Sequence, residues 1–319
     1  MTTLITGGAG FIGSRLAAHL LECNQPVVIL DNFDPYYDPA VKRANIAALN
    51  NQAILIEGDI RDTALIDRLF SEQGITRVAH LAGLAGVRSS IENGALYADV
   101  NTTGSVNLMD AARRHNVSVF VQASTSSVYG QTTRVPFAEE DAPDLPLAPY
   151  PASKRAAELF GYSYHQLFGL NVTVLRFFNV YGPFGRPDMM PRRAIESILK
   201  GEVITMYDGG DLLRDWTYVE DLVGGVAAAL DRPLGYSIIN LGCGSPIALT
   251  EFIQIYERLI GKKAITKSAP APLSEPRVTY CNNTRARELL GFNPQVQIEE
   301  GLARTWAWYQ QHFGLLTNS

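Results

Sequence analysis

LITGGAGFIGSRLAAHLLECNQPVVILD, residues 4–31, decides the fold through the order of its residue types. A short apolar strand at Leu4 and Ile5 enters a glycine-rich turn at Gly7, Gly8, Gly10 and Gly13. An amphipathic helix follows through Leu16, Leu20 and Leu21, and a second apolar strand, Val27 to Leu30, ends in Asp31. Glycine lets the backbone turn sharply, approach a pyrophosphate closely and pack the helix onto the strand. The phosphates then rest on free N–H groups at the helix N-terminus. Gly7, Gly10, Phe11, Ile12 and Gly13 are therefore candidate cofactor-binding residues. Asp31 lies about 20 residues on, where a carboxylate accepts hydrogen bonds from the adenosine ribose. A carboxylate there repels a 2′-phosphate, and the next residues, Asn32, Phe33 and Asp34, supply no cation. The expected cofactor is NAD, with Asp31 and Asn32 at its ribose.

Composition narrows the remaining classes. The chain of 319 residues suits one large α/β unit or two closely joined domains. A net charge of −5 argues against a nucleic-acid surface. Cys23, Cys243 and Cys281 are isolated, without the paired spacing of a zinc or redox site, so no metal is expected and the thiols read as reduced and cytoplasmic. Met1 runs almost directly into the first strand, which leaves no room for a signal peptide. No apolar run approaches the ~18 residues that span a membrane.

Strand-like runs at 2–6, 26–30, 53–56, 77–81, 118–123 and 172–176 alternate with helical patterns at 11–23, 62–73, 95–115 and 152–168. That alternation predicts an α/β fold, a Rossmann-type doubly wound parallel sheet. Residues 32–50 form a long excursion with Tyr and Pro that is placed to cover the cofactor. Residues 1–178 read as the NAD-binding domain, rejoined by a segment near 215–245 where Ile238–Leu241 has the pattern of a buried strand. Residues 179–319 read as mainly a smaller substrate-binding lobe.

PYPASKRAAE (149–158) carries the chemistry. Tyr150 and Lys154, four apart, share one face of a helix, and Pro151 places Tyr150 at its start. A free tyrosine has a pKa near ~10, so phenolate at pH 7 costs about 4 kcal/mol. A nearby Lys154, an oxidised nicotinamide and a helix N-terminus all favour phenolate. Tyr150 is thus a candidate general base for a sugar or alcohol hydroxyl.

TGGAGFIG (6–13), GDIRD (58–62), HLAGLAGV (80–87), STSSVYG (124–130), YPASK (150–154), RFFNVYGP (176–183) and RDWTYVEDL (214–222) stand in this order along nearly the whole chain. In this it resembles the extended short-chain dehydrogenase/reductase family, which contains nucleotide-sugar epimerases, dehydratases and decarboxylases. The resemblance implies that Asp59 and Ile60 flank adenine, that Leu81, Ala82 and Gly83 line the cofactor, and that Asn101 completes the site with Tyr150 and Lys154. It implies that Thr125 bonds the reacting oxygen, with Ser126 and Ser127 beside it. Related 4,6-dehydratases carry Asp-Glu at those two positions, and the decarboxylases usually carry Glu at the second. Serine supplies no base for a C5 proton at neutral pH.

The same resemblance places Arg214 on a nucleotide diphosphate, Tyr207 near uracil and Asn179 near the sugar or diphosphate. Arg88, Arg186, DPYYDPAVKR (34–43) and GRPDM (185–189) are typical of the epimerases acting on UDP-glucuronate, and an arginine fork suits a carboxylate or a phosphate. Two departures stand out: Asn179 where those epimerases carry Thr, and Ser274-Glu275 where a Gly-Asp turn is frequent. The implied activity is NAD-dependent inversion at C4 of a UDP-hexose, with UDP-glucuronate to UDP-galacturonate ahead of UDP-glucose or UDP-N-acetylglucosamine. UDP-glucuronate decarboxylation and a catalytically silent NAD-binding regulator are the rivals. A homodimer through helices within 95–115 and 152–168 is also implied.

Overall fold

In the computed structural model, which describes residues 1–319 except 131, 133, 142–144, 273–275 and 315–319, the apolar runs of the first half become parallel strands. They are β1 (Thr2–Thr6), β2 (Val27–Asp31), β3 (Ile54–Glu57), β4 (Ile75–His80), β5 (Val119–Thr125) and β6 (Val172–Phe177). Next come β7 (Asn179–Tyr181), β8 (Val203–Tyr207) and β9 (Leu213–Tyr218), outside that sheet; β10 (Tyr236–Leu241) then returns to its edge beside β6. The seven strands run β3-β2-β1-β4-β5-β6-β10. The order reverses between β1 and β4, which opens a crevice at the carboxyl ends of the strands. Ser274 and Glu275 lie outside the described residues.

Side chains alternate across this sheet, and both faces are covered. Ile5, Ile29, Val121, Leu175 and Ile239 form one apolar face. They pack with Leu16 and Leu20 of α1 (Phe11–Glu22). Leu4, Val28, Val78, Phe120 and Val174 form the other face, against Ile66 and Leu69 in the helix 63–73 and Leu108 in the helix 104–114. Burial of each such side chain contributes about 1.5–3 kcal/mol, which is why runs such as VVIL (27–30) are apolar throughout.

The structure adds one helix to the sequence reading and corrects another. The excursion at 32–50 contains a helix, α2 (Pro39–Ala47), started by Asp38 Oδ1 accepting from the Ala40 amide at 2.9 Å with Pro39 in the first turn. After α3 (Thr63–Gln73) and α4 (Val87–Glu92), the helix expected at 95–115 is split. A single turn, α5 (Gly94–Tyr97), leads into a π-helical turn at Ala98–Thr103, and only then does α6 (Gly104–Arg114) begin. Ser105 Oγ donates to the Asn101 carbonyl at 2.6 Å and so competes for an acceptor of that turn. α7 (Pro149–Phe168) follows in one piece.

Beyond residue 178, α8 (Met190–Lys200), α9 (Val219–Leu230), α10 (Leu249–Ile260), α11 (Thr284–Leu290) and α12 (Ile298–His312) intervene between short strands. α9 covers the same sheet face as α1 through Leu222 and Val226. α8, α10 and α12 enclose a separate cluster with Ile195, Met206, Trp216, Phe252 and Leu302. β9 pairs with β7, and Asn179 at the start of β7 is set opposite Trp216.

Candidate active site

The glycine turn leaves no space for side chains where it meets the sheet. Gly7 has φ +69°, and a Cβ there would lie 2.7 Å from the Ala82 nitrogen. A Cβ on Gly13 would lie 2.3 Å from the Gly7 carbonyl oxygen. Gly10 precedes α1 and supplies no side-chain cap, so the first amides of the helix remain for a ligand. Gly7, Gly10, Phe11, Ile12 and Gly13 open onto a cleft of about 460 Å³. Backbone packed this closely around open amides fits the pyrophosphate of a dinucleotide.

Asp31 and Asn32 line the same cleft. Asp31 is buried, and its carboxylate accepts from the amides of Ala9 at 3.0 Å and Phe33 at 2.8 Å. Residues 32–34 carry no cation, but the fold brings Lys42 of α2 to 4.0 Å from the Asp31 carboxylate. Lys42 also donates to the Asp34 carbonyl at 3.0 Å, and Asn45 ties α2 to the glycine turn through the Ala9 carbonyl. Opposite them, Asp59 and Ile60 form the wall expected at adenine. Arg61 and Asn32 both donate to Asp59, and the Arg61 bonds in particular lower its pKa to about 2. Lys42 and Arg61 were absent from the sequence-based site. Lys42 lies within the quoted DPYYDPAVKR, but its direction depended on recognising α2.

Leu81, Ala82 and Gly83 continue β4 along the cleft floor. Asn101 is placed beneath that floor instead of on its wall. Its Oδ1 accepts from the Leu84 amide at 2.8 Å, and its Nδ2 donates to the Leu84 carbonyl and to Ser153 Oγ, both at 3.0 Å. Its amide is thereby satisfied inside the protein. A Cβ on Gly83 would sit 2.9 Å from Asn101 Oδ1 and 3.5 Å from Lys154 Nζ.

Tyr150, Lys154, Thr125, Ser126 and Ser127 face the cleft from α7 and the end of β5. Tyr150 is the second residue of α7, as Pro151 predicted. The Ser127 amide donates to Thr125 Oγ1 at 3.1 Å. Desolvation raises the Tyr150 pKa; a hydrogen bond with Thr125 and the charge of Arg186 oppose the rise. Lys154 is buried, and desolvation lowers its ammonium to about 8 while Glu158, one turn along α7, resists the fall. Glu158 is itself fully buried and bound by Arg176 at 2.8 and 3.1 Å and by Ser124, so it locks α7 to β5 and β6.

The candidate substrate residues separate into two groups. Arg186 shares the cleft with Tyr150, whereas Arg88, Tyr207 and Arg214 line an adjoining cavity of about 290 Å³. Asn179 belongs to both. Arg88 lies over the Tyr207 ring at 5.1 Å, and Arg193 of α8 adds a cation that the sequence reading missed. Asp188 holds Arg186 from one side, accepting from Nε at 3.0 Å and Nη2 at 2.7 Å. Arg186 also stands 5.5 Å over the ring of Tyr36, whose hydroxyl is 3.2 Å from Ser89. The 32–50 excursion thus reaches across the cleft entrance. Among the described residues no cluster of His, Cys, Asp and Glu is placed to hold a metal, and no helix is long and apolar enough to cross a membrane.

Residues 3–242 match the NAD dependent epimerase/dehydratase family. The chain is 42% identical over 317 residues to a UDP-glucuronate 4-epimerase of Thermodesulfobacterium geofontis, covering 98% of this chain and 97% of that one. Its fold matches the Bacillus cereus UDP-glucuronic acid 4-epimerase in complex with UDP-glucuronic acid and NAD, with a TM-score of 0.91, 33% identity, and 98% and 100% of the two chains covered. The Thermotoga maritima UDP-glucose 4-epimerase with UDP-glucose matches almost as well, at a TM-score of 0.90 and 30% identity, with 98% and 100% covered. Backbone shape alone does not separate those two substrates.

Proposed function

This chain belongs to the NAD-dependent epimerase/dehydratase family, and from that premise we propose that it inverts C4 of UDP-glucuronate to give UDP-galacturonate. The observation that carries the sugar assignment is the address of Arg186. It lies in the cleft of Tyr150 and acts on that phenol, away from the cavity of Arg88 and Arg214. A cation beside the reacting sugar suits a carboxylate, while cations in the second cavity suit a diphosphate.

The α1 amides hold the pyrophosphate, Asp31 and Lys42 the adenosine ribose, and Gly83 and Lys154 the floor beyond it. Bound NAD supplies the acceptor and later the donor of hydride at C4. Tyr150 removes the 4-hydroxyl proton and returns it, with Thr125 bonded to the same oxygen. Thr125 and Arg186 oppose the upward pressure that burial puts on Tyr150, and a bound oxidised cofactor would oppose it further. The 4-keto sugar turns between the two transfers, which exposes its opposite face. For a glucuronate this ketone is a β-keto acid, and Arg186, Ser126 and Ser127 hold its carboxylate against loss of carbon dioxide. No carboxylate side chain stands in the 124–130 stretch to move a C5 proton.

Turnover in heavy water tests this reading. Purified protein should convert UDP-glucuronate faster than UDP-glucose or UDP-N-acetylglucosamine, without added NAD, and the product should carry no carbon-bound deuterium by mass spectrometry. Deuterium at C5 would sink the C4 mechanism, release of carbon dioxide would favour decarboxylation, and absence of turnover on every sugar would favour a silent regulator. The isolated thiols fit a reducing compartment such as the cytoplasm. Exposed Leu159, Phe160, Leu167 and Phe168 along α7 fit a second copy of the chain as partner.

A further inference from the structure

His80 ends β4, wholly buried, and no step described above uses it. Its Nδ1 lies 2.7 Å from Thr6 Oγ1, and its Nε2 lies 2.8 Å from Ser105 Oγ. These two contacts alone allow either tautomer, but the surrounding groups exclude one. Ser105 Oγ is 2.6 Å from the Asn101 carbonyl oxygen. A carbonyl only accepts, so the single hydroxyl proton of Ser105 is committed to it. Ser105 can then only accept from His80, which puts the imidazole proton on Nε2. Bare Nδ1 accepts from the Thr6 hydroxyl, and Thr6 Oγ1 in turn accepts from the Ala82 amide at 3.3 Å.

The network continues from the same π turn. Asn101 Nδ2 donates to Ser153 Oγ, and Ser153 Oγ donates at 2.8 Å to the Tyr150 carbonyl. Ala82 and Leu84, both held by this network, flank Gly83, beside which Lys154 Nζ lies. One buried hydrogen-bonded path thus fixes the cofactor floor on one side and the start of α7 on the other. Thr6, His80, Asn101 and Ser105 are at most 1% exposed, so an unmatched donor or acceptor here has no water to turn to.

We propose that His80 is a positioning residue for the reaction: as the neutral Nε2–H tautomer, it transmits the placement of the cofactor floor through the Asn101 π turn to Tyr150. Burial and the charge of Lys154 lower the imidazole to about 3, so the ring stays neutral near pH 7 and the Ser105 contact selects its tautomer. π turns recur at functional sites, and misplacement of about 1 Å there can cost ~10²-fold in rate.

Two replacements separate positioning from packing. A glutamine amide reaches the place of Nε2 and can donate to Ser105, whereas an asparagine amide reaches only the place of Nδ1. In purified full-length protein, His80→Gln should keep kcat within about threefold of wild type. His80→Asn should lower kcat by about 10²-fold with KM nearly unchanged, although both variants lose similar thermal stability. Equal kcat in the two variants would overturn the proposal. The kinetic arm rests on the C4-epimerase reading; a selective ¹⁵N-histidine spectrum of wild type does not, and it also decides the matter if neither variant folds. His80 should show the neutral Nε2–H pattern unchanged from pH 5 to 9, and an Nδ1–H tautomer or a titration in that range would refute it. Wild-type protein that turns over no UDP-sugar would defeat the epimerase reading alone, leaving the spectrum to judge His80.

Discussion

Arg186 and Arg214 look alike as single arginines in the sequence, yet they line different cavities. Hydrogen bonds to charged groups contribute about 1.5–3 kcal/mol each. Arg186→Leu should therefore lower kcat/KM for UDP-glucuronate by about 10- to 100-fold more than for UDP-glucose, which loses only the charge beside Tyr150. Arg214→Leu should weaken every UDP-sugar alike, because all carry the diphosphate. Steady-state kinetics on both substrates gives the ratio, and equal losses for Arg186→Leu would move that residue to the phosphates. At this scale the sequence identified the residue types, since the motifs named Tyr150, Thr125 and Arg186, but it left Arg186 to a carboxylate or a phosphate. Asp188 as the partner of Arg186, and Lys42 beside Asp31, lie within quoted motifs, but only the folded backbone shows that their side chains meet those partners.

α7 holds two charges that the surrounding packing treats in opposite ways. Glu158 is matched by Arg176, whereas Lys154 is desolvated and falls to about 8 from an ordinary 10.5. Between those values the unfolded chain binds more protons than the native one, so this group makes stability rise with pH from about 8 to 10.5. Below that window the buried charge is a standing penalty. Lys154→Met should raise the Tm of cofactor-free protein at pH 7 by ~2 °C or more. The gain should shrink toward pH 10, while activity falls by at least ~10²-fold. A Tm difference independent of pH, measured by scanning calorimetry, would contradict the buried-charge account. Apolar periodicity made α7 and the central strands legible. It could not show the break at Ala98–Thr103, because that turn depends on Ser105, His80 and the close packing of Gly104 on Ile60.

Across the whole molecule, the outer side of α7 is a conspicuous unsatisfied surface. Leu167 is 73% exposed and Leu159 52%, with Phe160 and Phe168 beside them in the helix. An isologous contact between two copies would bury these residues in pairs. Light scattering should give about twice the 34.9 kDa chain mass for wild type. Phe160→Glu combined with Leu167→Glu should yield a monomer that still binds NAD. A wild-type monomer at micromolar concentration would exclude this dimer.

The sequence by itself determined the parallel sheet, the dinucleotide turn and the Tyr150–Lys154 pair, because these depend on local geometry: glycine where a Cβ cannot fit, apolar runs buried on two faces, and a four-residue helical spacing. It also placed the strand at 238–241, whose pairing with β6 follows from the same apolar pattern. Only the tertiary structure decided which charges meet. Lys42 reaches Asp31 because Asn45 ties α2 to the glycine turn, Asn101 turns under the cleft to meet Leu84 and Ser153, and the fold of the second half gives Arg186 a different cavity from Arg88 and Arg214. Hydrophobic patterning records which face is buried, but it does not record which distant donor satisfies a given acceptor.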